Sequence, residues 1–225
     1  MKRVIFLFET TGYAAKCFKE RGWYTTIIDI KNVGTAATNE NADVTLSWDI
    51  LEKEQDIIEL GKGAALIFGF PPCTDLAVSG ARHFAAKKKR NPLFQEEAVN
   101  LARSVERIGN ACNADWGLEN PVSVLATMWR PPNFYFHPFQ FGGYLPEDDV
   151  HPDYPQYIKP RDAYPKNTGI WHSPNFRVPK RKHVPRNMGY SAQHNKLGGK
   201  SEKTKRIRSA SPRGFFTALA EVYST

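Results

Sequence analysis

The chain has 225 residues, 41% of them hydrophobic, enough for one sizeable α/β domain plus a small lobe. No run approaches the roughly 20 apolar residues needed to span a membrane. The net charge of +8 is unevenly placed: twelve Lys or Arg against one acid, Glu202, fall between Arg177 and Arg213, and the remainder is slightly acidic. Such an asymmetry points to a polyanion partner, with a solvated basic loop as the alternative. The basic start Met1-Lys2-Arg3 leads into an apolar run that Glu9 and two threonines soon interrupt, the mark of a first strand and not of a signal peptide. Cys17, Cys73 and Cys112 are an odd number with no CxxC pair, against a disulfide framework or a structural zinc site and for a reducing compartment.

In chain order, Val4 to Phe8 reads as a strand, Glu9-Thr10-Thr11-Gly12 as a turn, and Tyr13 to Arg21 as a helix ended by Gly22. Tyr24 to Ile30 forms the second strand of a βαβ unit, with Asp29 at its tip. In nucleoside-binding folds an acid at that place accepts hydrogen bonds from ribose hydroxyls. Only Gly12 matches a glycine-rich GxGxxG turn. Ala42 to Ile50 gives a third strand, and Asp49 is placed to cap a helix over Ile50 to Leu60.

Ala65 to Phe68 has the continuous apolar character of a buried parallel strand, broken by Gly69 and Pro71-Pro72 and followed at once by Cys73. A thiol just beyond a strand's carboxyl end lies where open α/β sheets bind ligands. The alternative is a small buried cysteine in a turn, but two prolines fix the direction of the backbone before it. Arg82, Lys87 and Lys88 lie in the basic run Ala81 to Arg90, which can pin phosphates or form a solvated turn. Asn91-Pro92 opens an amphipathic helix with Phe94, Ala98, Leu101, Val105 and Ile108 on one face. Trp116-Gly117-Leu118 is a short strand ending in Glu119-Asn120-Pro121, a carboxylate and an amide on a stiff turn.

From Pro131 prolines and aromatic residues crowd the chain. Glu147, Asp148, Asp149, His151 and Asp153 are contiguous, without metal-ligand periodicity, and no metal is expected there. A strand follows over Tyr164 to Trp171, then the basic segment with Gly189, Gly198 and Gly199. Arg208 to Tyr223 reads as a closing helix with Pro212 in its first turn.

Phe70-Pro71-Pro72-Cys73, followed at a suitable distance by Glu119-Asn120, resembles the cytosine-5 DNA methyltransferases, in particular their small, phage-like members. The resemblance runs from Val4 to Tyr223. It implies an α/β, Rossmann-like and mostly parallel sheet with helices on both faces, plus a small irregular basic lobe. It divides the chain into a catalytic and cofactor-binding domain over 1–143, a basic Pro/Gly-rich recognition region over 144–205, and a C-terminal helix over 206–225 that returns to the catalytic domain.

The function implied is methyl transfer from S-adenosylmethionine to carbon 5 of a flipped-out cytosine in DNA, in the cytoplasm of a bacterial or phage-infected cell. Cys73 would be the nucleophile and Glu119 the acid at ring nitrogen 3. Phe8, Gly12, Asp29, Ile30, Asp49, Ile50 and Pro72 would line the cofactor site. Asn120, Lys166, Thr168, Arg82, Lys87, Lys88, Arg206 and Arg208 would contact substrate, with Lys166 and Thr168 at the place of an Arg-x-Arg pair. Three alternatives stay open: the same chemistry on RNA or a free pyrimidine nucleotide, a non-catalytic DNA-binding protein on this fold, and a redox or acyl-transfer enzyme pairing Cys73 with His83.

Overall fold

The computed structural model describes residues 1–31, 40–185, 193, 197 and 201–225. Its centre is a seven-stranded sheet: β1 Arg3–Leu7, β2 Tyr24–Ile28, β3 Val44–Leu46, β4 Leu66–Gly69, β5 Asp115–Pro121, β6 Phe134–Phe136 and β7 Thr168–His172. The spatial order is β3-β2-β1-β4-β5-β7-β6. β1 to β5 pair in parallel, and β7 runs antiparallel to both β5 and β6. The α/β, Rossmann-like sheet expected from the sequence is therefore the fold of the chain.

Parallel strands covered on both faces must be apolar on both, and β1 shows how this is met. Val4 and Phe6 join one layer with Phe18, Phe68, Phe215 and Phe216. Ile5 and Leu7 join the opposite layer with Ile67, Val105, Ile108 and Leu118. Helices α1 Tyr13–Lys19 and α7 Arg213–Ser224 cover the first face. Helices α2 Glu54–Gly61 and α4 Phe94–Ala111 cover the second. Gly69 lets α4 approach, since a Cβ there would stand 2.4 Å from Val105 Cγ2.

β1 connects outward to β2 and β3, whereas β4 and β5 lie on its other side. The strand order thus reverses between β1 and β4, and in open α/β sheets the crevice at the strands' carboxyl ends at such a point is the ligand site. The loops Phe8 to Gly12 and Phe70 to Cys73 both leave the sheet there.

The segment 144–205 contributes its expected strand to the sheet, as β7 between β5 and β6, while other expectations need correction. Ile158, Phe176 and Val184 from that segment are buried as well. The basic run after Gly80 is helical: a 3-10 turn over Val78–His83 leads into α3 Phe84–Arg90, which has no buried residue. The single closing helix is two, α6 Glu202–Ser209 and α7. Pro212 lies just before α7 and not in its first turn; lacking an N–H and restricting its predecessor, it separates the two. A short helix α5, Leu125–Met128, completes the set. Among the described residues no helix is long and apolar enough to cross a membrane.

The C-terminal helix is locked to the body by buried charge. Both terminal nitrogens of Arg213 reach Asp149, at 2.8 and 2.7 Å. Asp162 accepts the Gly214 amide at 2.9 Å, and burial pushes its carboxyl up to about 6. His151 is held beside them, its Nδ1 accepting the amides of Asp153 and Tyr154. Asp149, His151 and Asp153 of the acidic stretch thus take structural roles, Asp153 also accepting the Tyr13 hydroxyl. Breaking a buried pair by removing one partner strands the other charge. Asp149→Ala should therefore lower stability by about 3–5 kcal/mol in urea unfolding. A loss under about 1 kcal/mol would show that water screens the pair as it does on a surface.

Candidate active site

The nucleoside-like half of the crevice is built from the tips of β1, β2 and β3. Phe8 ends β1 in the left-handed region at φ 59, rare for an aromatic residue. Its amide donates to the Ile28 carbonyl at 2.8 Å, and its half-buried ring packs on the layer containing Ile50. Backbone strain of this kind gathers at functional sites. Asp29, at the tip of β2, is nearly buried and accepts the Lys31 amide at 2.6 Å. Burial pushes its carboxyl up, and the Lys31 amide and charge oppose the rise. Asp49 accepts the amides of Leu51 and Glu52 at 2.9 and 3.2 Å and so shapes a turn, but it does not cap the helix expected after it: α2 begins only at Glu54, with Lys53 at its N-cap. The Ile30 side chain is exposed, whereas that of Ile50 is buried in the core.

Glu9 was not singled out in the sequence, yet it organises this half. It is 3% exposed and accepts Thr11 N at 2.8 Å, Thr11 Oγ1 at 2.6 Å and Gly12 N at 2.9 Å. One carboxylate thus folds the turn at the place where dinucleotide-binding folds carry a glycine-rich loop. The Ser211 hydroxyl donates to its other oxygen at 3.4 Å, joining the turn to the chain before α7. Burial pushes the Glu9 carboxyl up, against these bonds. Gly12 starts α1 at φ 75, and a Cβ there would stand 2.7 Å from Asn41 Cβ, so the turn requires glycine. The available signal was an acid directly after a buried strand, two and three residues before Thr11 and Gly12.

The second half is made by the loop after β4 and the end of β5, where Glu119-Asn120-Pro121 continue the strand against β7 instead of forming the expected turn. Asn120 is fully buried, and its amide donates to the Pro71 carbonyl at 3.1 Å. That bond fixes the Pro-Pro turn carrying Cys73. The Cys73 carbonyl accepts the amides of Leu76 and Ala77, so the chain coils immediately after the thiol. Burial pushes the Cys73 thiol up, the Glu119 carboxylate adds to this, and Lys166 opposes it. Burial also pushes Glu119 up, again opposed by Lys166. Thiol, carboxyl and ammonium, from three separate segments, therefore share one electrostatic site. Glu119 Oε1 is buried with no hydrogen-bond partner, as is Asn120 Oδ1. Buried polar atoms are normally paired, so an orphaned carboxyl oxygen beside a thiol is ready to bind a ligand.

The remaining candidates divide. Lys166 belongs to the cluster and donates to the Arg208 carbonyl at 3.2 Å, tying α6 to it. Thr168 is fully buried, with its hydroxyl on the Lys166 carbonyl at 3.1 Å. Thr168 thus holds the protein together, whereas Asn120 uses its amide nitrogen on Pro71 and keeps its Oδ1 without a partner. Lys87 is turned back onto the loop after Cys73, bonded to Asp75 at 2.5 Å and to the Thr74 carbonyl at 2.9 Å. Arg82, Lys88, Arg206 and Arg208 are exposed, as is Pro72.

The basic segment is also divided. Arg213 faces Asp149, as described. Arg177 reaches the Val222 carbonyl and stacks on Tyr223, whose hydroxyl bonds Asp115 at the start of β5. That is the edge of the sheet opposite to Cys73. The cations of α6 lie on the thiol's side, through the Lys166–Arg208 contact. Arg186 lies outside the described residues.

No protein-family model matches the chain, and no curated protein matches it. A solved E. coli structure, described as a candidate DNA modification methyltransferase encoded within a prophage, aligns with 76% of the chain at 10% identity and a TM-score of 0.47. The chain spans 46% of that protein's length. So distant a likeness assigns no function.

The shared charges of the cluster can be tested by alkylating Cys73 with iodoacetamide across pH, with the modified peptide quantified by mass. The midpoint should lie above that of a free thiol. Glu119→Gln should lower it, by removing a negative neighbour, and Lys166→Met should raise it. At neutral pH the first variant then reacts faster than wild type and the second more slowly, since only the thiolate reacts. Shifts of the same sign in both would mean that these charges do not act on the thiol.

Proposed function

We propose that the protein is a DNA cytosine-5 methyltransferase, acting in the cytoplasm of a bacterial or phage-infected cell. The observation that carries this reading is the grouping of Cys73, Glu119 and Lys166, with an orphaned carboxyl oxygen, in the crevice where β1 and β4 diverge. A half-buried thiol beside a carboxyl whose affinity for a proton is raised by burial suits one demanding step. Carbon 5 of cytosine is a poor nucleophile until a thiolate adds to carbon 6.

In that step the Cys73 thiol gives its proton to water, its sulfur forms a bond to carbon 6, and the electrons of the 5,6 double bond move toward carbon 5. Glu119 donates a hydrogen bond or its proton to ring nitrogen 3, whose electron density rises during the attack. Its raised affinity for a proton fits the role of donor. The orphaned Oε1 would gain the base's exocyclic amine as partner. Lys166, within reach of both groups, favours the thiolate and limits the charge that accumulates. After transfer the carbon 5 proton leaves, the 5,6 double bond re-forms, and Cys73 is expelled.

The residues at the crevice fit S-adenosylmethionine as methyl donor. Asp29 at the tip of β2 has the position and chemistry for ribose hydroxyls. Phe8 offers a half-buried ring to the adenine, and Asp49 a carboxylate at the tip of β3. Gly12 and the turn held by Glu9 leave backbone room beside them. S-adenosylmethionine, when bound, supplies the electrophilic methyl group.

A polymer substrate is favoured by the exposed cations Lys203, Lys205, Arg206 and Arg208 on the thiol's side. Residues outside the sheet between 144 and 205 would form the recognition region. The target base must leave its duplex to reach Cys73, at a cost of a few kcal/mol that phosphate contacts help to offset.

The direct test is incubation with labelled S-adenosylmethionine and unmodified duplex DNA, or RNA of the same sequence, then digestion to nucleosides. Label in 5-methylcytosine from DNA is expected. Cys73→Ser should abolish it, since a hydroxyl is far less acidic, while cofactor affinity stays within a few-fold. Label in RNA alone would shift the substrate class, and wild-type turnover by the serine variant would sink the covalent step.

The division of the basic segment gives a second prediction. Each phosphate neutralised on duplex DNA contributes about −0.9 to the slope of log affinity against log salt. Replacing Lys203, Lys205 and Arg206 by alanine should flatten that slope by roughly two to three units. Arg177→Ala should leave it unchanged, because Arg177 lies at the opposite edge of the sheet. Equal effects from the two changes would mean that DNA contacts both edges.

A further inference from the structure

Lys166 is drawn two ways. The last carbonyls of a helix have no partner further along it, and at the end of α6 each finds one nearby. The Arg206 carbonyl accepts the Ser209 hydroxyl at 3.1 Å, and the Ile207 carbonyl the Ala210 amide at 3.3 Å. The Arg208 carbonyl accepts the Lys166 ammonium at 3.2 Å. A cation suits that end of a helix, where the dipole is negative.

The other pull comes from the thiol cluster. Burial raises the proton affinity of Cys73, Glu119 and Asp75 add to the rise, and Lys166 opposes it. Asp75 is already matched by Lys87, at 2.5 Å. Lys166 is also the cation that opposes burial at Glu119. An ammonium bonded to the Arg208 carbonyl is not free to settle against the sulfur. What holds α6 in place therefore also governs how much of the Lys166 charge the thiol receives.

α6 is lightly mounted, since Thr204 and Ile207 are its buried residues. Elements with few buried contacts open at low free energy. Its exposed cations carry part of the mounting: Arg208 Nη2 donates to the Leu197 carbonyl at 2.8 Å, and the Lys203 ammonium stands 5.9 Å from the centre of the Tyr157 ring. Lys205 is paired with Glu202 at 2.5 Å. Phosphates that gather these cations compete with the contacts that keep α6 where it is. A polyanion thus interacts differently with the held and the released helix, as a switch requires.

We propose that α6 holds Lys166 back from Cys73 in the free protein, and that a nucleic-acid backbone drawn onto α6 releases it to the thiol. The device keeps the thiol quiet until a polymer is bound, and it responds to phosphates and not to the base in the crevice. It rests on the reading of Cys73 as the nucleophile of a DNA-acting enzyme.

The test uses the full chain and poly(dA)·poly(dT), a duplex that offers phosphates without a cytosine. The pH midpoint of Cys73 alkylation by iodoacetamide is measured with and without saturating duplex. The midpoint reports the charge on the thiol, whereas shielding by bound DNA changes only the rate. In wild type the midpoint should fall by about one pH unit, the low end of what an opposite charge within roughly 4–6 Å does to an acid. Phosphates by themselves would move it upward, since like charge disfavours the thiolate. Lys166→Met should start higher and keep its midpoint when the duplex binds. Lys203→Ala/Lys205→Ala/Arg206→Ala should match wild type without DNA and show a smaller fall at saturation. An unchanged or raised midpoint in duplex-bound wild type, or an equal fall in Lys166→Met, would overturn the switch and leave the methyl-transfer reading standing. No binding by wild type at low salt, to this duplex or to one containing cytosine, would overturn the DNA reading and the switch with it.

Discussion

One hydrogen bond, from the buried Asn120 amide to the Pro71 carbonyl, sets the geometry on which the candidate site depends. Glu119 stands within β5 and Cys73 in the loop after the adjacent parallel strand β4, but a strand fixes the loop that leaves it only at its root. Prolines at 71 and 72 stiffen one loop without saying where it points. The amide bond supplies that constraint at 3.1 Å, from a fully buried side chain. Lys87 closes the same loop from the other side, through Asp75 and Thr74. The thiol is thus held from two directions by groups that take no part in the chemistry, as a preorganised site requires.

The same logic extends along the chain. β7 enters the sheet as an antiparallel strand, and this reversal brings Lys166 to the carboxyl edge, where Cys73 and Glu119 lie. The bond from Lys166 to the Arg208 carbonyl carries the arrangement into α6, and Ser211 carries it on to Glu9. A continuous path of contacts therefore links the basic helix, the thiol cluster and the turn after β1. The Arg213–Asp149 pair anchors its far end. A buried ion pair contributes little net stability, because desolvation offsets attraction. Here it fixes where α7 begins, and hence where Ser211 meets Glu9.

What the sequence disclosed follows the strength of its local signals. β1, β2, β4 and β5 were legible because parallel strands buried on two faces are continuous apolar runs. Cys73, Glu119 and Asp29 were legible because chemistry-bearing residues stood directly at the ends of those runs. β6 escaped notice, since three aromatic residues in a proline-rich stretch carry no periodicity. α3 was read as a loop because it buries nothing, and α6 because Thr204 and Ile207 are its only buried residues. The roles of Asn120, Thr168 and Lys87 could not be read at all. A polar residue does not reveal whether its partner will be a substrate or a carbonyl some 50 residues away. Glu9 failed for the converse reason: its partners lie two and three residues on, but a glutamate in a turn resembles any solvated acid.

Burial of the cluster has a consequence for how the reaction would start. Both Cys73 and Glu119 hold their protons more tightly than free groups, chiefly because water has been removed from around them. At neutral pH without substrate, the thiol is then largely protonated and a poor nucleophile. Lys166 relieves this only in part, because it acts on both groups and is itself bonded to a carbonyl. A base arriving in the crevice changes the balance. On the proposed reading its ring nitrogen would take up the Glu119 proton or hydrogen bond, and its exocyclic amine would satisfy the orphaned oxygen. Negative charge that burial would penalise on the carboxyl is then shared with the ring. The desolvation that keeps the thiol quiet in the free protein is the same desolvation that strengthens these contacts once the base is in place. A site of this kind is slow to react with adventitious electrophiles and is completed by its own substrate.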